Sequence, residues 1–545
     1  MTLVVEAYPE LFNDVFGPVM QPGSSSHTAA PCRLGHLAGD LLAEQVARIR
    51  VVLDERGSFA GTFGVMSEDR AMVAGVLGLT PDDVGLFRSF ELAAEAGVEV
   101  GFEFTRIDES DHPNAMKFVL TGRSGRTVTL VGISTGGGMV ETVMVDGFAL
   151  RTIGDAFVVL LFDPRPAADA ALAERLSWLS GLVSTTSVEV EGRGCLHAFA
   201  LSEAPDPAAL RAAGSAAAGA RLVVLRPLLP VLARSDRRPQ LFDTMTRWRE
   251  IAEQRGTTLW ETALQYEIDA AGWSRERVVE TMSGLARLMH RQTHAAGDEG
   301  LSAPASPFKP DFSADWARHA ESGRAVSDGV TAATIGLAYG AGAGIPGVET
   351  VPGPMGGGGG YLYAALCAVR DARGLSHDDL LHGLFVAGGV GAIAFSRTEP
   401  TGERIGCTGE TGVCGAMAAA GIVEMVGGTP RQAEEAASLA LQAFTGVPCD
   451  PIPGGLCQPC RSRIMAATCM AHVFADLALA GHAAVLPFHE ALDVADAVGR
   501  GLPADLLCTS RGGACAAPTA ARRRVAFEAW LRDTPSQERP PGNLI

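Results

Sequence analysis

The stretch "TVPGPMGGGGGYLYAAL", Thr350 to Leu366, decides which kind of fold the chain can have. Five glycines, Gly356 to Gly360, lie between a Pro-Gly-Pro turn and an apolar run. A phosphate loop here would imply a nucleotide-binding α/β fold. The Walker type needs a Lys and a Ser/Thr directly after the glycines, but Tyr361, Leu362 and Tyr363 follow. A dinucleotide fingerprint needs a strand in front of the glycines, and Thr350 to Met355 is too broken by proline to form one. The glycines therefore need another explanation.

Working outward, the 545 residues are 47% apolar and 19% charged, with 65 glycines. That composition excludes disorder and suggests tightly packed helices with glycine contacts. The formal charge of −18 argues against nucleic acid and against a membrane surface as partners. The basic run Arg522-Arg523-Arg524 reads as a solvated helix end. The start, "MTLVVEAYPELFNDVF", has acidic residues where a secretion signal needs basic ones. Gly329 to Val348 is uncharged but broken by Gly and Pro, and reads as a helix buried on all sides. A cytoplasmic protein is expected, with reduced thiols. Of the 11 cysteines, eight lie between Cys407 and Cys515, which in a reducing compartment points to metal or catalysis.

The fold class expected is α+β and multidomain. Residues 1–146 mix helices with short strands: "LGHLAGDLLAEQVARIRVVL" has helical periodicity, and "FEFTRI", "KFVLTG" and "TVTLVGIS" read as strands. Residues 147–235 give the order βαββαβ, a ferredoxin-like split βαβ. It runs through "AFVVLLF", "DAALAERLSWLSGL", "TTSVEVEG", "CLHAFALS", "DPAALRAAGSAA" and "ARLVVLRPL". Residues 238–518 are almost entirely helical, and 519–545 read as a flexible tail.

Four constellations carry chemistry. In "QPGSSSHTAAP", Ser24, Ser25, Ser26 and Thr28 precede a helix, where hydroxyls and free amides hold a carboxylate. His27 among them can move a proton near neutral pH; taken alone, the stretch reads better as an N-cap with an incidental His, since capping is the common use of Ser there. "DHPNAMKF" offers His112 and Asn114, and "ISTGGGM" offers Ser134 at a strand end with Gly136 and Gly137 behind it. Three such loops suggest one pocket mouth. The fourth is the cysteine set. Thiolates are the usual ligands of iron–sulfur clusters, and three of them on a four-iron cluster leave one iron open, as a catalytic metal requires. Cys457 and Cys460 also form C-x-x-C, a zinc alternative. Cys32, Cys195, Cys367 and Cys469 read as ordinary buried residues, while Cys414, Cys508 and Cys515 stay open.

With these motifs in view, the chain resembles the iron–sulfur-dependent L-serine dehydratases. "PGSSSHT" resembles that family's PSSSHT, "HPNAM" matches it, and "STGGG" resembles S-x-GGG. "GCTGETGVCGAMAAAG" and "CDPIPGGLCQPC" resemble its two cysteine motifs, and "TSRGG" its last one. The resemblance covers about residues 8 to 516. It implies an N-terminal α/β serine dehydratase β domain, an ACT-like domain and an all-α catalytic domain in one chain, and by analogy a homodimer. It implies a [4Fe-4S] cluster on Cys407, Cys449 and Cys460, with His27 as base. Ser24, Ser25, Ser26, Thr28, His112, Asn114, Ser134, Gly136 and Gly137 would line the substrate, a small amino acid. The reaction implied is β-elimination from L-serine or a related β-substituted amino acid, giving a 2-oxo acid and ammonia.

The chain also departs from that pattern. The family's PTAGSSGV is "PMGGGGGY" here, so Gly358 and Gly359 stand for two serines. That reads as a substrate loop stripped of hydroxyls, each unpaired partner costing about 1–3 kcal/mol, and it opens room for a larger or thiol-bearing amino acid. The family's glutamate before TS-x-GG is Cys508. The ACT-like segment lacks the glycine after its first strand that effector binding uses. A non-catalytic, cluster-binding amino-acid sensor is the alternative from another class. Pyridoxal phosphate needs a Schiff-base Lys, and none follows Lys309.

Overall fold

The computed structural model describes residues 8–165, 179–208, 210–211, 219–302, 308, 312–327, 329–454, 458–535 and 538–539. The first part is a six-stranded sheet. Its strands are β1 (Val46–Leu53), β2 (Glu99–Phe104), β3 (Ala115–Gly122), β4 (Thr127–Gly136), β5 (Met139–Val145) and β6 (Phe148–Ala149), in the order β2-β1-β3-β4-β5-β6. Only β1 and β2 run parallel. Helix α1 (Ala30–Leu42) lays Leu34, Leu37 and Leu41 against Ile49, Phe118 and Leu130 of the sheet.

The stretch expected to be one helix from Leu34 to Leu53 is therefore a helix and a strand. Ala43 takes a left-handed φ of 56° and ends α1, and β1 starts at Val46. The β-branched residues of "VARIRVVL" fit a pleated, half-buried surface better than a helix.

A second sheet holds β7 (Phe157–Asp163), β8 (Leu182–Val190), β9 (Gly194–Leu201) and β10 (Arg221–Leu225), all antiparallel, in the order β10-β7-β9-β8. A split βαβ unit produces that order. Of its two expected helices, the first falls largely on residues 166–178, outside the described residues. Of the second, 207–208 and 210–211 are helical.

The rest is helical. The helices that build the site and its support are α2 (Leu259–Ala271), α3 (Arg275–His294), α4 (Gly329–Ala341), α5 (Gly358–Arg373), α6 (His377–Arg397), α7 (Val413–Met425), α8 (Pro430–Ala443), α9 (Cys460–Leu479) and α10 (Pro518–Asp533). α6 and α7 cross at the centre, where backbones meet: a Cβ on Gly421 would lie 2.7 Å from the Gly383 carbonyl. By length and composition α6 and α9 could span a membrane, but α6 is mostly buried in this core. α4 is not buried on all sides as expected. It buries Thr334, Ala338, Gly340 and Ala341 and leaves its other faces partly exposed. At 13 residues it spans about 20 Å, less than the ~30 Å of a bilayer core. Residues 518–533, expected within a flexible tail, form α10. Its Phe527 is buried against Val65 and Met66, and its arginines bond inward: Arg523 to the Gly454 carbonyl, Arg524 to that of Ser510.

The N-terminal segment is stapled to the helical part by a buried acid. Glu267 of α2 accepts from the Leu11 amide at 2.8 Å, and Tyr266 donates to the Pro9 carbonyl. Burial raises Glu267 from 4.5 to about 7, and Asp14 nearby from 3.8 to about 6. A raised folded-state pKa means that the native state holds the proton more tightly than the unfolded chain. The contribution is thus complete below pH ~4.5 and lost as pH rises through ~7. Thermal unfolding should show Glu267 alone lowering stability by ~3 kcal/mol across that window, and Glu267→Gln should remove that share of the fall while leaving the share due to Asp14. An unchanged pH slope in the variant would contradict this.

Candidate active site

The loops that carry the sequence motifs converge between the first sheet and the helical part. A cavity of about 140 Å³ there is lined by Ser24, Ser26 and His27 on one side and by Cys449, Cys460 and Cys508 on the other. Glu403, Glu410, Tyr361 and Arg461 complete its walls.

The His27 loop is a tight turn leading into α1. Ser24 Oγ accepts from the His27 amide at 3.2 Å, Thr28 Oγ1 accepts from the Ser24 amide at 3.0 Å, and Thr28 donates to the Met66 carbonyl. His27 is buried and rests against the Phe59 ring. Its two nitrogens have different partners. Ser58 Oγ donates to Asn114 Oδ1 at 2.5 Å and lies 3.1 Å from His27 Nε2. Nδ1 lies beside Ser26 Oγ (2.9 Å) and Glu403 Oε1 (3.5 Å). Burial lowers the His27 pKa, with Glu403 partly opposing it, so the imidazole is neutral near pH 7.

Asn114 thus reaches His27 through Ser58, a residue that carried no signal in the sequence. Ser134, at the end of β4, is buried and bonds to Asn114 through its carbonyl (3.4 Å). Its Oγ has no hydrogen-bond partner among the described residues. His112 Nδ1 accepts from the Asn114 amide at 3.1 Å and so shapes the loop from behind. Gly136 and Gly137 do not line the cavity; Gly136 packs against Thr401, where a side chain would collide.

The glycine run has a packing reason. Met355, Gly356 and Gly357 line the cavity, whereas Gly358 and Gly359 form the first turn of α5. A Cβ on Gly356 would lie 2.6 Å from the Ser25 amide nitrogen and 3.0 Å from the Gly23 carbonyl. A Cβ on Gly359 would lie 2.8 Å from the Val351 carbonyl. The run lets the start of α5 press directly onto the His27 loop, and Gly358 and Gly359, taken as replaced substrate contacts, face backbone instead.

Among the thiols, Cys449 and Cys508 are hydrogen-bonded to each other. The main chain holds them side by side: Cys508 donates its amide to the Cys449 carbonyl at 2.8 Å. A Cβ on Gly402 would sit 2.6 Å from Cys449 Sγ, so the glycine reserves space for the sulfur. Cys407 is buried with its Sγ 3.0 Å from Thr411 Oγ1 and does not line the cavity itself. It shares the Arg463 guanidinium as an electrostatic neighbour with Cys460. Burial and Glu410 raise the Cys407 thiol to about 11. The bond to Cys508, and then burial, push Cys449 well above the ordinary range. Burial, with Glu403 added, raises Glu410 to about 8.

Soft sulfur donors lining one pocket suit an iron–sulfur cluster. His27, Glu403 and Cys508 also bring their ligand atoms within 4.8 Å of one another. Cys457 lies outside the described residues. Cys414 and Cys515 do not line the cavity: Cys414 donates to the Gly358 carbonyl, and Cys515 to those of Asp450 and of Pro451, which stands in the cavity wall. Glu403, Glu410 and Arg461 were not singled out from the sequence, although Glu410 stands inside the "GCTGETG" motif.

Residues 254–514 match the family model described as serine dehydratase alpha chain. The chain is 34% identical over 178 residues to the L-serine dehydratase beta chain of Peptoniphilus asaccharolyticus, covering 33% of this chain and 77% of that one. It is 27% identical over 282 residues to the alpha chain from the same organism, covering 51% of this chain and 95% of that one. It is 36% identical over 166 residues to the probable L-serine dehydratase alpha chain of Bacillus subtilis, covering 30% of this chain and 55% of that one.

Proposed function

Because the chain belongs to the L-serine dehydratase family, with β-chain and α-chain parts fused in one polypeptide, we propose that it converts L-serine to pyruvate and ammonia. The observation that carries this reading is the neutral, buried His27, held in the same cavity as Cys449 and Cys460, with Cys407 sharing Arg463 as an electrostatic neighbour of Cys460.

Cys407, Cys449 and Cys460 would hold a [4Fe-4S] cluster. When bound, the cluster supplies a Lewis acid that makes the β-hydroxyl a better leaving group. The protein residues do the rest. His27 takes the Cα proton on the unprotonated nitrogen of its neutral ring. Ser24 and Ser26 offer hydroxyls to the substrate, and Arg461, anchored to the Gly342 carbonyl at 2.7 Å, sets a positive charge in the wall. Loss of the proton and of hydroxide gives aminoacrylate, which tautomerises to an imine and hydrolyses.

Serine is favoured over a larger amino acid because the glycine run does not enlarge the pocket: Gly356 and Gly359 are filled against by backbone. The test is anaerobic reconstitution followed by assay of 2-oxo acid, ammonia, iron and sulfide. About four irons per chain and pyruvate from L-serine are expected, with both lost in Cys449→Ala. A full cluster with no product from L-serine would transfer the activity to another β-substituted amino acid. A cluster with no ammonia from any such substrate would leave the sensor reading.

A further inference from the structure

We propose that Glu403 binds the α-ammonium group of the substrate and makes this site select amino acids over hydroxy acids. The inference rests on the reading above that a small amino acid is the substrate. Glu403 lines the cavity and its side chain is only 4% exposed. One oxygen is accounted for: Oε1 accepts from Ser26 Oγ at 3.2 Å and lies 3.5 Å from His27 Nδ1. The other, Oε2, is buried and has no hydrogen-bond partner among the described residues. A buried carboxylate oxygen left without a donor is costly unless something arrives to fill it. A primary ammonium is the matching group: it brings three N–H donors and a positive charge.

The placement agrees with the chemistry. Glu403 adjoins the base, so an ammonium on Oε2 brings its own Cα, one bond away, next to His27 Nδ1. Arg461 lines the same cavity as a fixed positive charge. A cavity with a carboxylate and a guanidinium in its walls is complementary to a zwitterion. The segment that carries Glu403 is also held firmly. Gly136 presses on Thr401, and Gly402 presses on Cys449 Sγ, each closely enough that a Cβ would collide.

The experiment compares L-alanine and L-lactate as inhibitors of L-serine turnover by the holoenzyme. The two differ only in ammonium against hydroxyl. The unmodified protein should favour L-alanine, and Glu403→Gln should reduce that preference by roughly tenfold to a hundredfold, the worth of a charged hydrogen bond. KM for L-serine should rise by a similar factor. Glu403→Ala serves as a second variant, and circular dichroism checks that both fold. An alanine-to-lactate ratio unchanged in the variants would overturn the proposal. So would a fall in kcat alone with the ratio intact, since that is the signature of Glu403 acting only through His27. If the unmodified protein neither turns over L-serine nor is inhibited by L-alanine, the reading of the substrate fails instead.

Discussion

His27→Asn is expected to lower kcat for L-serine by about 10²–10⁴-fold while leaving iron and sulfide content unchanged. Removing a proton from Cα needs a base that is unprotonated at the working pH and within reach. Burial lowers the His27 pKa, so one ring nitrogen is unprotonated at neutral pH. Asparagine fills part of the space but accepts protons poorly. The pH profile gives a second readout. In the unmodified protein, activity should hold through pH 7 and fall only on the acid side of the ordinary histidine value, because the folded-state pKa is lowered. Ser58→Ala should lower kcat more mildly, by removing the hydroxyl that holds His27 Nε2 at 3.1 Å. If His27→Asn keeps kcat within a factor of about three, the base lies elsewhere.

Gly356→Ala is expected to reduce stability by about 1–3 kcal/mol and to cost activity beyond what the lost stability explains. The new methyl would meet the Ser25 amide nitrogen at 2.6 Å and the Gly23 carbonyl at 3.0 Å. Both are backbone atoms of the loop that carries His27, so no side chain can swing away. Either α5 moves back, opening the cavity, or the loop moves and takes His27 with it. A displacement of about 1 Å at a base is enough to cost on the order of 10²-fold in rate. Gly297→Ala is the control, since nothing lies within 4 Å of a Cβ there. Equal behaviour of the two variants in thermal melts and in kcat would remove the glycine run from the active site.

Much of this was legible without coordinates. Strands β2, β3 and β4 and the four strands of the second sheet announce themselves by β-branched alternation, and the helices by capping residues and apolar spacing. Thr258 and Ser376, for example, form capping boxes with Glu261 and Asp379. His27, Asn114 and the cysteines stood out because their side chains carry chemistry and sit in polar or glycine-rich loops. Local pattern misled where neighbours decided the outcome. "VARIRVVL" has apolar residues at helical spacing, yet pairs with β2 and β3. The end of the chain looks like a polar tail, yet Phe527 has a pocket between Val65 and Met66.

The sequence by itself determined the kind of chemistry: a base, a set of thiols and loops able to hold them, in an acidic chain that discourages polyanionic partners. Local spacing suffices for this, because residue type and turn propensity act over a few positions. Only the tertiary structure decided which atoms face one another. Ser58 lies 31 residues from His27, and Glu403 lies 377 residues from Ser26. The hydroxyl beside the His27 ring and the buried carboxylate beside Ser26 come from segments whose meeting no local pattern records. The glycine run makes the same point. Its length is plain in the sequence, but the reason for it is the backbone of Gly23 and Ser25, brought up against Gly356 by the packing of α5 on the start of α1.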